Sequence, residues 1–181
     1  MPPSPWVRRF LPLIAPGGQI LDVACGRGRH ARWLASLGME VEAVDRDDEA
    51  LASMAGMGGI NTRCADLEGG PWPYYGRAFD GIVVTNYLYR PLLPQIANCL
   101  GGGGVLIYET FMVGNEILGK PSNPAFLLRS GELLELARNR LTVVAYEQGR
   151  VELPRPALIQ RICAVRGAPA LLPLPEMPAP L

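Results

Sequence analysis

The sequence predicts an α/β fold with a mainly parallel sheet, on three observations. Apolar runs alternate with amphipathic stretches along most of the 181 residues, as repeated strand–helix units do. A glycine pair, Gly26 and Gly28, follows the apolar run "QILDVAC" and precedes a helix-like stretch. The last two strand-like runs, "LTVVAYEQG" and "ALIQRICAV", are joined by a proline-containing loop. Such a connection suits an antiparallel pair that closes the sheet.

"QILDVAC" is the first strand. The following helix begins near Arg29, places Ala31, Leu34 and Ala35 at i, i+3, i+4 spacing, and stops at Gly38. "MEVEAVD" alternates as a half-covered second strand would. Asp47 then caps a helix whose first turn holds Asp48 and Glu49 and whose buried stripe is Ala50, Leu51, Met54 and Ala55. "INTRCAD" and "FDGIVVTN" are strands three and four, separated by the glycine-, proline- and aromatic-rich loop "LEGGPWPYYGRA". Pro91 opens a helix with Leu93, Ile96, Ala97 and Leu100 inward, and the four glycines at 101–104 turn into strand five, "VLIYETF". The irregular "MVGNEILGKPSNPAFLLR" is long enough to be either functional or disordered. Ser130 is expected to cap the last helix, with Leu133, Leu134 and Ala137 buried. A single domain over residues 1–166 follows, and the proline-rich tail at 167–181 is expected to be disordered or laid on the surface.

Composition narrows the function. Acidic and basic residues balance at 17 each, so neither nucleic acid nor an anionic membrane is an expected partner. The longest apolar runs, at 81–85 and 105–108, fall far short of the roughly 20 residues that span a bilayer. With no secretory pattern at the start, a cytoplasmic location is expected. Four scattered cysteines and one histidine suggest neither a metal site nor a disulfide framework.

Gly26, Gly28 and Ala31 satisfy G-x-G-x-x-[GA], so a dinucleotide site has to be weighed. A phosphate loop is excluded because Arg29 and His30 stand where Lys and Ser or Thr belong. Asp22 argues against a pyrophosphate, since a carboxylate there would repel it, and it favours a cationic ligand. "ILDVACGRGRH" resembles motif I of the class I S-adenosylmethionine (SAM)-dependent methyltransferases, with Asp22, Ala24, Gly26 and Gly28 in its positions and Ala24 in place of the commoner glycine. More narrowly, "VVTNYLYRPLLPQI" and "GGVLIYETFMVGNE" are similar to a small bacterial subgroup labelled tellurite-resistance-like.

The resemblance implies a Rossmann-like class I methyltransferase fold: seven strands, mainly parallel, with an antiparallel C-terminal strand and helices on both faces. It implies SAM as cofactor, S-adenosylhomocysteine as product and no metal. Asp45, 17 residues after Gly28, would hold the ribose hydroxyls. Asp66 and Leu67 would meet the adenine, and Asp22 would support the ammonium group or the glycine loop. Gly26 and Gly28 would admit the methionine part, so a bulky residue at Gly28 is expected to abolish binding while leaving the fold measurable. Asn86 and Tyr87 fall at the methyl-transfer site. Tyr89 and Arg90 either recognise an anionic or planar substrate or pack the helix start. Glu109 and His30 are candidates for a base or a polar wall, against ordinary structural roles. Residues 1–17, with Trp6, Arg8 and Arg9, form either a lid or a packing helix. The acceptor is expected to be a small molecule such as a thiol or a chalcogen oxyanion, handled by a monomer or homodimer. A SAM-binding protein without catalysis and an NAD(P)-dependent oxidoreductase are the alternatives.

Overall fold

In the computed structural model, which describes residues 2–167, 172 and 174–176, every predicted strand joins one sheet. Its strands are β1 (Gln19–Val23), β2 (Glu40–Asp45), β3 (Ile60–Cys64), β4 (Phe79–Thr85), β5 (Leu100–Phe111), β6 (Thr142–Val151) and β7 (Ala157–Val165). They lie in the order β3-β2-β1-β4-β5-β7-β6. β1 pairs parallel with both β2 and β4, while β7 runs antiparallel between β5 and β6. Most of the expected tail lies outside the described residues.

Alternation along the strands divides the core in two. Ile20, Val83, Val105 and Ile107 point to one face, Leu21, Ile82, Leu106 and Tyr108 to the other. The first face is covered by α1 (Pro5–Phe10), α2 (Arg29–Ser36) and α3 (Asp48–Ala52), the second by α4 (Leu93–Asn98) and α5 (Glu132–Ala137). No helix fills the crossover from β3 to β4. There Trp72, Tyr74 and Phe79 stack edge-to-face and bury the second face instead, with Trp72 Nε1 donating to Cys99 Sγ and the Tyr74 hydroxyl to Glu42. No described helix is long and apolar enough to cross a membrane.

α1 is built into the sheet. Ser4 caps it by accepting from the Trp6 amide, Pro5 supplies a ready φ at its start, and Trp6, Val7 and Phe10 are fully buried. The Trp6 indole donates to the Ile162 carbonyl of β7 at 3.1 Å.

Several local expectations are corrected. Gly131, in the left-handed region, precedes α5, and Ser130 pairs with Gln148 instead of capping the helix. The buried stripe of α5 is Leu133, Leu136 and Ala137, while Leu134 is exposed. α3 ends at Ala52, so Ala55 faces solvent although Met54 stays in the core. The glycines at 101–104 form a bulge inside β5: pairing jumps from Phe79↔Leu100 to Gly81↔Val105, and a Cβ on Gly104 would lie 2.8 Å from the Phe79 carbonyl.

Because Trp6 fills the core and its N–H is satisfied there, Trp6→Ala is expected to cost about 3–5 kcal/mol. Urea unfolding checks this, and a loss below about 1 kcal/mol would mean that α1 detaches without disturbing the core.

Candidate functional site

The site is assembled where β1, β2 and β4 end. Leaving β1, the chain turns left-handed at Ala24 (φ 52°), Gly26 (φ 54°) and Gly28 (φ 72°) before entering α2. Glycine adopts that conformation freely, whereas alanine carries a Cβ penalty, so Ala24 is a strained departure from motif I. Two carboxylates brace the turn. Asp45 Oδ2 accepts from the Gly26 amide at 2.7 Å and its Oδ1 from the Asp47 amide at 3.0 Å. Asp22, 1 % exposed, accepts from the Ala31 amide at 3.1 Å and so satisfies a donor in the first turn of α2.

The two glycines differ in what surrounds them. A Cβ on Gly26 would meet nothing within 4 Å, so its face is open to a ligand. A Cβ on Gly28 would overlap Met54 Sδ at 1.8 Å. Gly28 is therefore a packing position as well as the start of α2, and replacing it attacks the fold. A bulky residue there would thus carry a packing cost beside any effect on binding.

Burial pushes the Asp22 carboxyl up to about 7, opposed by the Ala31 amide bond and by Arg29, and reinforced by the charge of Asp45. Asp66 stands on the surface beyond β3, held below the usual carboxylate range by the Glu68 and Gly69 amides. Leu67, beside it, is buried.

Asn86, just after β4, is exposed and left-handed (φ 55°), with its amide donating to the Glu109 carbonyl. The Tyr87 carbonyl accepts from the buried Tyr108 hydroxyl at 2.8 Å. These two bonds hold the segment against β5. The Tyr87 hydroxyl is shielded from solvent and has no hydrogen-bond partner among the described residues, and burial raises its pKa. A cavity of about 260 Å³ opens here, lined by Glu68, Asn86, Tyr87, Leu88, Thr110, Phe111, Pro121 and Phe126.

Other candidates are drawn into the architecture. Arg90 grips Glu132 with Nε and Nη2 at 2.7 and 2.9 Å and donates to the Ala125 and Leu127 carbonyls. Its guanidinium ties down the loop that carries Phe126. Tyr89 packs half-buried against the second core. His30 and Glu109 meet at Ser4, whose amide donates to His30 Nε2 at 3.1 Å and whose hydroxyl donates to Glu109 at 2.8 Å. Burial, with Arg29 nearby, pushes His30 down to about 3. Its ring is neutral, and an accepting Nε2 assigns the proton to Nδ1, which faces Thr85 Oγ1 at 3.4 Å. Glu109 also pairs with Arg161. Ser4, Thr110, Phe111, Pro121 and Phe126 were not singled out from sequence. The "SPW" stretch carried a cap signal for Ser4, and the length of the 112–129 loop was the only signal for Pro121 and Phe126.

Residues 20–104 match a family model described as "Methyltransferase domain". The fold is that of SAM-dependent methyltransferases. TehB from Haemophilus influenzae superposes with a TM-score of 0.72 at 21% identity, over 90% of this chain and 61% of TehB, so this chain spans less than two thirds of it. A TehB-like SAM-dependent methyltransferase from Corynebacterium glutamicum gives 0.66 at 20% identity, over 91% and 88%. Magnesium protoporphyrin IX methyltransferase from Synechocystis, solved with bound S-adenosylhomocysteine, gives 0.66 at 16% identity, over 90% and 79%. No curated protein matches the sequence.

Two outcomes follow from the turn. Gly28→Ala is expected to lose about 2–4 kcal/mol in denaturant unfolding, from the left-handed φ and the overlap with Met54. Combined with Met54→Ala it should lose less than the two single losses added, and strict additivity would remove Met54 as the cause. Separately, Asp22 has a folded pKa of about 7 against 3.8 free. Its contribution to stability is thus present below about pH 3.8 and lost as pH rises through about 7. Asp22→Asn should flatten the fall in stability across that window, and parallel pH profiles for the two proteins would contradict the assignment.

Proposed function

We propose that the chain is a SAM-dependent methyltransferase acting on a small-molecule acceptor and releasing S-adenosylhomocysteine. The observation that carries the reading is a juxtaposition. An open glycine face and a carboxylate at the end of β2 stand on the same sheet edge as a cavity beside Asn86 and Tyr87, the edge where ligands bind in open α/β sheets.

The residues present fit the cofactor. Asp45 uses one lone pair on each oxygen for the Gly26 and Asp47 amides, which leaves a second on each for the two ribose hydroxyls. Gly26 lets the methionine part approach the backbone, and the buried Asp22 carboxyl stands behind the loop, where an ammonium group nearby would favour its ionised form. The exposed Asp66 with the apolar Leu67 beside it suits an amino-substituted ring. When bound, SAM supplies an electrophilic methyl on a sulfonium, whose sulfur recovers an electron pair when the methyl leaves.

The protein's part is positioning. Asn86 and Tyr87 are fixed by their bonds to β5, so groups lining the cavity hold the acceptor at attack distance and exclude water. The unpartnered Tyr87 hydroxyl is a donor, since burial holds its proton.

Calorimetric titration should detect S-adenosylhomocysteine binding and no NAD binding. Asp45→Ala should weaken the former by roughly tenfold to a hundredfold, and Asp45→Asn, which keeps the shape, should still fold. Unchanged affinity in Asp45→Ala would sink the ribose role. Methyl transfer from labelled SAM to a panel of small acceptors tests the catalytic half of the reading.

A further inference from the structure

A second, shallow and largely open hollow of about 420 Å³, the outer chamber, adjoins the cavity beside Tyr87, lined by Lys120, Pro121, Ser122, Asn123, Phe126 and Arg155. Pro121 and Phe126 line both, so the two stand side by side. Lys120 is the only lysine in the sequence. Among the described residues neither Lys120 nor Arg155 has a carboxylate partner. Arg155 donates one bond, to the Lys120 carbonyl at 3.4 Å, and its guanidinium carbon lies 5.8 Å from the centre of the Phe111 ring. Of the neighbouring acids, Glu152 pairs with Arg150 and Glu116 accepts from the Gly114 amide, while Glu68 lines the inner cavity.

We propose that this outer chamber holds the anionic group of an organic acceptor, a carboxylate or sulfonate carried on a flat apolar body. The proposal rests on the methyl-transfer reading of the inner cavity and adds the acceptor's chemical class. Two cations without a carboxylate partner among the described residues favour an anion, and a guanidinium lying over an aromatic ring grips a planar one in a fixed geometry. Of the chamber's other lining residues Ser122 and Asn123 are polar and Pro121 and Phe126 apolar; with Phe111 of the inner cavity, the apolar ones offer an organic body a contact that a bare inorganic oxyanion cannot use. The two chambers together have the volume that small organic ligands occupy, with a lining that mixes aromatic and polar side chains. A neutral arene would fill the walls but leave both cations unpaired. The anion is an anchor, and the atom that takes the methyl lies at the other end of the body, which reaches past Phe126 to Tyr87.

The test is calorimetric titration of 2-naphthoate into the full chain, with and without S-adenosylhomocysteine, with sodium sulfate and 2-naphthol as comparisons. Naphthoate should bind at least about tenfold more tightly than either, and the double variant Lys120→Gln, Arg155→Gln should lose about tenfold or more of that affinity. Its melting temperature and S-adenosylhomocysteine affinity should stay at the parent values, because both side chains lie on the surface. Equal binding of sulfate would overturn the proposal in favour of an inorganic oxyanion site. Equal binding of naphthol, or an unaffected double variant, would overturn it by removing any role for the charges. Failure of S-adenosylhomocysteine to bind while naphthoate still discriminates would overturn the donor reading alone.

Discussion

The C-terminal edge of the sheet depends on how the chain leaves β1. Three left-handed residues within five positions reverse the backbone so that α2 can run back along the first face. Such a turn is unfavourable by itself, most of all at Ala24. It persists because the strands on either side determine it. Asp22 and Asp45 end up on the turn through the pairing of β1 with β2, which aligns Asp22 with Ala43 and Val23 with Val44. One carboxylate then fastens the start of α2 and the other fastens the loop. The Cys25 amide adds a bond to the Val44 carbonyl, so sheet register reaches into the turn itself. A ligand that engaged Asp45 would meet a group already oriented by the protein, and little ordering would remain to be done on binding.

That dependence explains what was legible in the sequence. Interior parallel strands are buried on both faces, so β1 and β4 stand out as mostly apolar runs interrupted by Asp22 and Asp80, and residues at their ends could be assigned to one edge. Asp22, Gly26, Asp45 and Asn86 converge for that reason. Short helices were harder. A six-residue helix such as α5 offers leucines at 133, 134 and 136, and apolar spacing alone admits two phases. The structure selects the phase in which Leu136 reaches the second core. Its start is set by Gly131 and by the Glu132 carboxylate accepting from the Arg129 amide, a cap made by the residue after the turn instead of the one before it.

Long-range contacts explain what was not legible. Ser4 finds Glu109 across 105 positions, and Arg90 finds Glu132 across 42. Neither pairing leaves a local pattern. Their consequence is a division of labour among the polar residues. Arg90 fixes the loop that presents Phe126, while Ser4, His30 and Glu109 fasten α1 to the first face. The walls of the cavity are thus held in place by charged and polar groups that do not enter it.

This division also constrains the chemistry. His30 has its acceptor nitrogen occupied by the Ser4 amide and its basicity pushed down to about 3, so it is a poor proton acceptor near neutrality. Glu109 is held by Ser4 and Arg161, and the shielded Tyr87 hydroxyl keeps its proton. On the proposed reading, the acceptor must bring its lone pair with it, as a thiolate, an oxyanion or a neutral amine does. An anion anchored by Lys120 and Arg155 fits that requirement, because positive charge near the mouth favours the deprotonated form of any acidic group on the same small molecule. Catalysis would then rest on orientation and dryness, and a rigid turn at β1 with a braced wall at Phe126 supplies both.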